Sequence, residues 1–178
     1  MQLKTKDPLL ATVQVLLALV KIVFIFAIVM LGIGIGAMLS VGRAEVLSKI
    51  AEAGAPDGAY WLLLATIAMA MGIVMLGYRF IEELSGVVDS VGESEPFRAD
   101  NATRLNRMGW ISVAAHAAGL LIGAMAAWFA PYIQKAGGDA DLEFGVDGGG
   151  LLLTLILFIL ARVFRRGAEM REELEGTV

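Results

Sequence analysis

The chain has 178 residues, of which 58% are hydrophobic and 18% charged. A soluble domain averages about 45–50% apolar and about 25% charged residues, so this excess, which falls in blocks, marks a membrane protein, and the length suits a single domain over residues 1–178. The net charge of −4 argues against direct nucleic-acid binding, the absence of cysteine removes disulfides and thiolate metal sites, and the single histidine, His116, removes any multi-histidine metal site within one chain.

The first helix is predicted to start at Asp7-Pro8, with Asp7 as N-cap and Pro8 at the first helical position. From Leu9 to Val41 the chain is apolar, broken only by Gln14 and Lys21. A cleavable signal sequence has an apolar core of about 7–15 residues and a small-residue cleavage site; this stretch is longer and lacks the site. It reads as an uncleaved helix, with the first membrane span at about residues 21–41 and the part before Lys21 in the cytoplasm or the interface. Residues 42–58 read as a loop of mixed charge with a Gly54, Pro56, Gly58 turn signal.

The second span covers residues 59–78. Beyond it Phe80, Ile81, Leu84, Val87, Val88 and Val91 recur at helical spacing, while Glu82, Glu83 and Asp89 fall off that stripe. The helix is therefore expected to continue as an amphipathic segment to Gly92. A turn follows around Ser94-Glu95-Pro96-Phe97, and Asp100 or Asn101 can cap the next helix, whose span covers residues 108–133. Residues 134–147 carry Asp139, Asp141, Glu143 and Asp147 without the spacing of a calcium loop, and read as a solvated acidic loop. The last span, 148–164, is short and reaches full thickness only if Arg162 snorkels toward the headgroups or finds a partner. The helix then runs on through Arg165-Arg166 into an acidic tail, with Arg165 and Glu169 as i,i+4 partners.

Orientation follows the distribution of Lys and Arg. The N-terminal tail, the 79–107 segment and the C-terminal segment together hold ten of them, against three in the two opposite loops. Both ends are thus expected in the cytoplasm. Tyr60, Trp61, Trp128 and Tyr132 would form the outer aromatic belt, and Tyr78 and Trp110 the inner one. The predicted fold is all-α: an integral membrane four-helix bundle, N-in and C-in, with its second and fourth helices extended into the cytoplasm. The acids ending one cytoplasmic helix and the bases opening the next each oppose their own helix dipole. Pairing of Glu82 or Glu83 with Arg104, Arg107 or Arg165 would account for both.

Two strings carry a resemblance. One is Glu95-Pro96-Phe97-Arg98-Ala99-Asp100-Asn101-Ala102-Thr103-Arg104-Leu105 with Met108-Gly109-Trp110. The other is Phe158 to Gly167 with Leu174-Glu175-Gly176-Thr177-Val178. Together they resemble a bacterial family of four-span inner-membrane proteins of unknown function, over the whole chain in span order; Ser94 stands where the pattern has a smaller residue such as glycine. The resemblance implies no activity. It implies a multi-pass protein of the bacterial cytoplasmic membrane, and a partner, because members are often encoded beside a small helix-turn-helix regulator. The residues that would meet a cytoplasmic partner are Pro96, Phe97, Asn101, Arg104, Leu105, Arg107, Arg165 and Arg166.

Other candidates have plainer readings. His116 is an ionisable group within a span, which is a functional hypothesis by default. With no carboxylate in the spans, a neutral histidine bonded to a carbonyl, Thr66 or Thr154 is simpler than a proton relay or a haem ligand. Gly32 and Gly36 stand in GxxxG register, and Ala115, Gly119, Gly123 and Ala127 form a small-residue stripe. Such stripes let helices approach closely, within the chain in the first instance and otherwise in a homo-oligomer. Gly32-x-Gly34-x-Gly36 is no nucleotide loop, because no strand precedes it. Asn101-Ala102-Thr103 matches a glycosylation sequon by chance if that segment is cytoplasmic. No nucleophile–base pair, metalloprotease motif or paired carboxylates in the membrane appear, so no enzyme, metal or cofactor is implied. The expected role is regulation or scaffolding through the cytoplasmic face. The alternatives are an accessory subunit of a larger membrane complex and a small transporter lined by His116, Lys21 and a few hydroxyls.

Overall fold

The computed structural model describes residues 8–93, 97–135 and 148–175. These form α1 (Pro8–Leu39), α2 (Arg43–Glu52), α3 (Ala59–Gly92), α4 (Ala99–Lys135) and α5 (Gly148–Glu175). All but α2 are long and apolar enough to cross a membrane. The chain is an all-helical protein with four candidate membrane-spanning helices.

Helix α1 begins at Pro8, where the fixed φ of proline suits a first turn, and runs unbroken past Lys21 to Leu39. The predicted cap Asp7 lies outside the described residues, as do Pro96 and residues 136–147 of the predicted acidic loop, whose first two residues close α4. Helix α3 continues without interruption to Gly92, as its apolar spacing predicts. Helix α4 opens at Ala99 and tolerates Pro131 in its closing turns, where one lost backbone bond costs least.

The four-helix expectation needs one correction, because the segment read as a plain loop contains α2. Its signals are modest: Val46, Ile50 and Ala53 at helical spacing, an exposed Lys49–Glu45 ion pair of 2.9 Å, and Gly54 beyond its end. Lys49 holds the Glu45 carboxyl below its usual range, and Glu45 raises the Lys49 ammonium. Gly54 has φ +68°, with its N–H donating to Ala51 O at 3.0 Å and the Ala55 N–H to Ile50 O at 3.1 Å. That double bond around a left-handed glycine is the Schellman stop. The predicted turn is therefore real, and it terminates a helix.

The chain packs as two compact units. One comprises Met1–Phe24, Leu76–Ala114 and Asp147–Val178, and the other Ile25–Met75 and Ala115–Val146. In the first, Leu105, Met108, Leu157 and Ala161 form a buried cluster with Phe80, Leu84, Val87 and Phe164 packed on it. Ser112 and Thr154, both buried, share a hydrogen bond of 2.6 Å between α4 and α5. In the second, the buried Tyr60 donates its hydroxyl to Met38 O at 2.7 Å, and the Arg43 guanidinium lies 5.7 Å from its ring centre. Val46 and Ile50 of α2 and Ala53 just past its end line an apolar cavity of about 410 Å³ with Phe129 and Tyr132 of α4.

The glycines divide differently from expectation. A methyl group built on Gly32, Gly34, Gly36 or Gly119 meets no atom within 4 Å among the described residues. The close approaches within the chain lie elsewhere. The Phe24 and Leu10 side chains of α1 pack onto Gly77 and Gly92 of α3. Phe158 of α5 packs onto Gly109 of α4, and Phe97 onto Gly167 of α5. Intrachain packing through Gly32, Gly36 and Gly119 is therefore replaced by glycines that each sit under one aromatic or leucine side chain. Gly123 is half-buried.

Candidate functional site: the arginine-bearing end of the first unit

Here α3 and α4 meet through charge. Glu83 receives Arg104 at 3.3 Å and Arg107 at 3.2 Å, and its side chain is only 17% exposed. The Arg104 guanidinium lies across Gly86, where any Cβ would collide with it. Two of the predicted cross-helix pairs therefore form on Glu83. Glu82 instead takes Arg79 one turn earlier on its own helix, at 3.1 Å. Nearer the turn, Arg98 reaches Glu93 at 3.1 Å and Asp100 at 3.5 Å. Gln14 of α1 donates to Asp89 of α3 at 2.9 Å. Neutralising the shared acceptor as Glu83→Gln is expected to lower stability by about 1 kcal/mol, a value kept small because both arginines are partly solvated. Chemical unfolding in detergent measures it, and a combined Glu83→Gln, Arg104→Gln variant should lose less than the two single changes added.

The candidate partner residues fall into two groups. Asn101 and Leu105 are buried and belong to the packing. Asn101 donates its side-chain amide to Ser90 Oγ at 2.6 Å, and Ser90 in turn donates to Val87 O at 2.7 Å. Phe97 stacks at 5.5 Å on Phe164. Arg104 and Arg107 are held by Glu83, whereas Arg165 and Arg166 are exposed on α5. Glu169 pairs with Arg166 at 3.2 Å, three residues away, and not with the predicted Arg165. His116 is half-buried on α4 in the second unit and has an interaction partner. Thr66, one of its predicted partners, donates to Leu62 O at 2.8 Å.

Sequence reading missed a surface on α5. Leu152, Ile156, Ile159, Val163, Met170 and Leu174 are all exposed and fall on one helical face, at steps of three, four or seven residues. The first four belong to the apolar span. Met170 and Leu174, 53% and 73% exposed, continue the stripe beyond Arg165-Arg166. Beside them, Phe97, Arg98, Asp100, Arg171 and Glu172 line a cavity of about 280 Å³. The signal was the i,i+4 spacing of Met170 and Leu174 inside a run otherwise charged. Among the described residues, no group of three or more His, Asp or Glu is placed to hold a metal ion.

Residues 43–178 match the family described as "Protein of unknown function (DUF2975)". No curated protein matches the chain, and no solved structure does.

Proposed function

We propose, on the premise that the chain belongs to the DUF2975 family of proteins of unknown function, that it is a non-enzymatic membrane protein that regulates or scaffolds a cytoplasmic partner. Both termini and the α3–α4 turn face the cytoplasm in this reading, and the host membrane is the bacterial inner membrane. The observation that carries it is the exposed pair Met170 and Leu174 on a helix end that has left the apolar span. Lipid covers the same stripe farther up α5, and beyond the arginines a protein partner would remove these side chains from water. An i,i+4 apolar pair among charges suits a partner's apolar groove or helix face. The partner class that the resemblance favours is a small helix-turn-helix regulator.

The test is co-purification of the tagged chain with such a regulator, co-expressed in the same cells. The wild type is expected to retain it. A Met170→Glu, Leu174→Glu variant should lose at least about tenfold of the retained regulator, the equivalent of about 1.4 kcal/mol. Equal recovery by wild type and variant contradicts the reading.

A second reading, an accessory subunit of a larger membrane complex or a homo-oligomer, is favoured by Gly32, Gly34 and Gly36. Their open surroundings on α1 would let a helix of another chain approach closely. Gentle native purification distinguishes the two, because this reading requires co-migration with other membrane chains or a second copy.

A further inference from the structure

The α4–α5 side of the first unit holds a groove of about 990 Å³, and its lining changes character along its length. At one end lie Phe158 and Ile159, with Val163 one residue past Arg162. At the other lie Arg162, Arg165 and Arg166, with Asn106 from α4 and Glu169. Positions 162, 165 and 166 share one helical face, and side chains on a helix lean toward its N-terminus. The two later arginines therefore tilt back toward Arg162 and the apolar span. Arg166 is partly satisfied by Glu169. Among the described residues, neither Arg162 nor Arg165 forms an ion pair. Three arginines against one glutamate leave the groove with a surplus of positive charge.

Its depth is marked independently. Trp110, 62% exposed, packs edge-on against Phe158 with ring centres 5.7 Å apart. Exposed tryptophan collects at the membrane–water interface. This one sits where α5 changes from the uncharged run at 148–161 to its first arginine. The groove thus has an apolar end at acyl-chain depth and a cationic end at headgroup depth.

We propose that this groove binds an anionic phospholipid of the surrounding bilayer, with Arg162, Arg165 and Arg166 around the phosphodiester and Phe158, Ile159 and Val163 along an acyl chain. Charge complementarity selects the anion. A free phosphate would leave the exposed apolar end uncovered, and a zwitterionic lipid would bring its own cation toward the arginines. Basic pockets among membrane helices at the headgroup level are suited to anionic lipids for these reasons. The site differs from the Met170–Leu174 surface and does not depend on any protein partner.

Trp110 supplies the reporter. In a Trp61→Phe, Trp128→Phe background it is the sole tryptophan, and acyl-brominated lipids quench it on contact. The protein is reconstituted in phosphatidylcholine containing a minor fraction of brominated phosphatidylglycerol, and in the mirror mixture with the bromine on phosphatidylcholine. The expected result is a preference for phosphatidylglycerol that falls roughly fivefold for each arginine neutralised. Arg162→Gln, Arg165→Gln, Arg166→Gln should abolish it, while Arg165→Gln alone lowers it and Arg79→Gln leaves it unchanged. Retained helical circular dichroism certifies the variants, and the single Arg165→Gln change keeps the test decisive if the triple variant fails to fold. Equal quenching by the two lipids in the wild type overturns the proposal, as does a preference that survives the loss of Arg165. Release of the brominated lipid by inorganic phosphate, but not by chloride at matched ionic strength, would assign the arginines to a soluble phosphate and overturn the lipid assignment.

Discussion

Replacing Asn101 with leucine is expected to destabilise the chain by about 1–3 kcal/mol, although leucine keeps the branching of asparagine and raises hydropathy. Asn101 is 1% exposed, and its amide donates to the Ser90 hydroxyl at 2.6 Å. That hydroxyl, itself buried, spends its own proton on Val87 O. Leucine would leave the Ser90 oxygen without its donor in a site closed to water. It would also cut the polar tie between the end of α3 and the start of α4. Ser90→Ala in the same chain removes the stranded acceptor, so the pair of changes should cost less than their sum. Unfolding in mixed micelles, followed by circular dichroism, reads both quantities. An unchanged midpoint for Asn101→Leu would show that this bond does not hold the two helices together.

The second large effect separates two classes of glycine. Gly109→Val and Gly167→Val should each cost about 1–3 kcal/mol, because Phe158 and Phe97 already occupy the space a side chain needs. Gly32→Val and Gly36→Val should change stability by less than about 0.5 kcal/mol, since among the described residues a Cβ at either position meets no neighbouring atom within 4 Å. The same unfolding measurement compares all four. If the α1 substitutions dissolve a larger assembly while leaving the single chain's stability intact, those glycines serve contacts with another chain. If they destabilise as strongly as the α4 and α5 substitutions, the packing described for α1 is wrong.

The long helices were legible because their signals are long. Runs of about twenty apolar residues have no soluble alternative, and the apolar stripe from Phe80 to Val91 carried α3 to Gly92. The attraction between α3 and α4 was legible because acids at one helix end and bases at the next demand partners, although the sequence could not say that Glu83 takes both arginines while Glu82 turns to Arg79. Helix α2 escaped because ten residues of mixed charge resemble a loop until Gly54 is recognised as a helix stop. The glycines misled for a physical reason. GxxxG register reports that a helix face is smooth, but not which neighbour uses it. Gly109 and Gly167 stand in no such register, and their role depends on where the Phe158 and Phe97 rings fall. The exposed Met170–Leu174 pair hid inside a charged tail, where apolar residues pass as packing.

The regulatory role proposed for the arginine-bearing end requires that it face the cytoplasm, and a chain without native cysteine allows a clean measurement. Single substitutions Ser48→Cys in α2, Asp100→Cys in α4 and Glu172→Cys in α5 all place a thiol at an exposed position. Intact cells, stripped of any outer barrier, are treated with a membrane-impermeant maleimide before and after lysis. The expected result is labelling of Ser48→Cys in intact cells, with Asp100→Cys and Glu172→Cys labelled only after lysis. Labelling of Asp100→Cys or Glu172→Cys in intact cells would turn the arginine-bearing end outward and contradict the proposed cytoplasmic role.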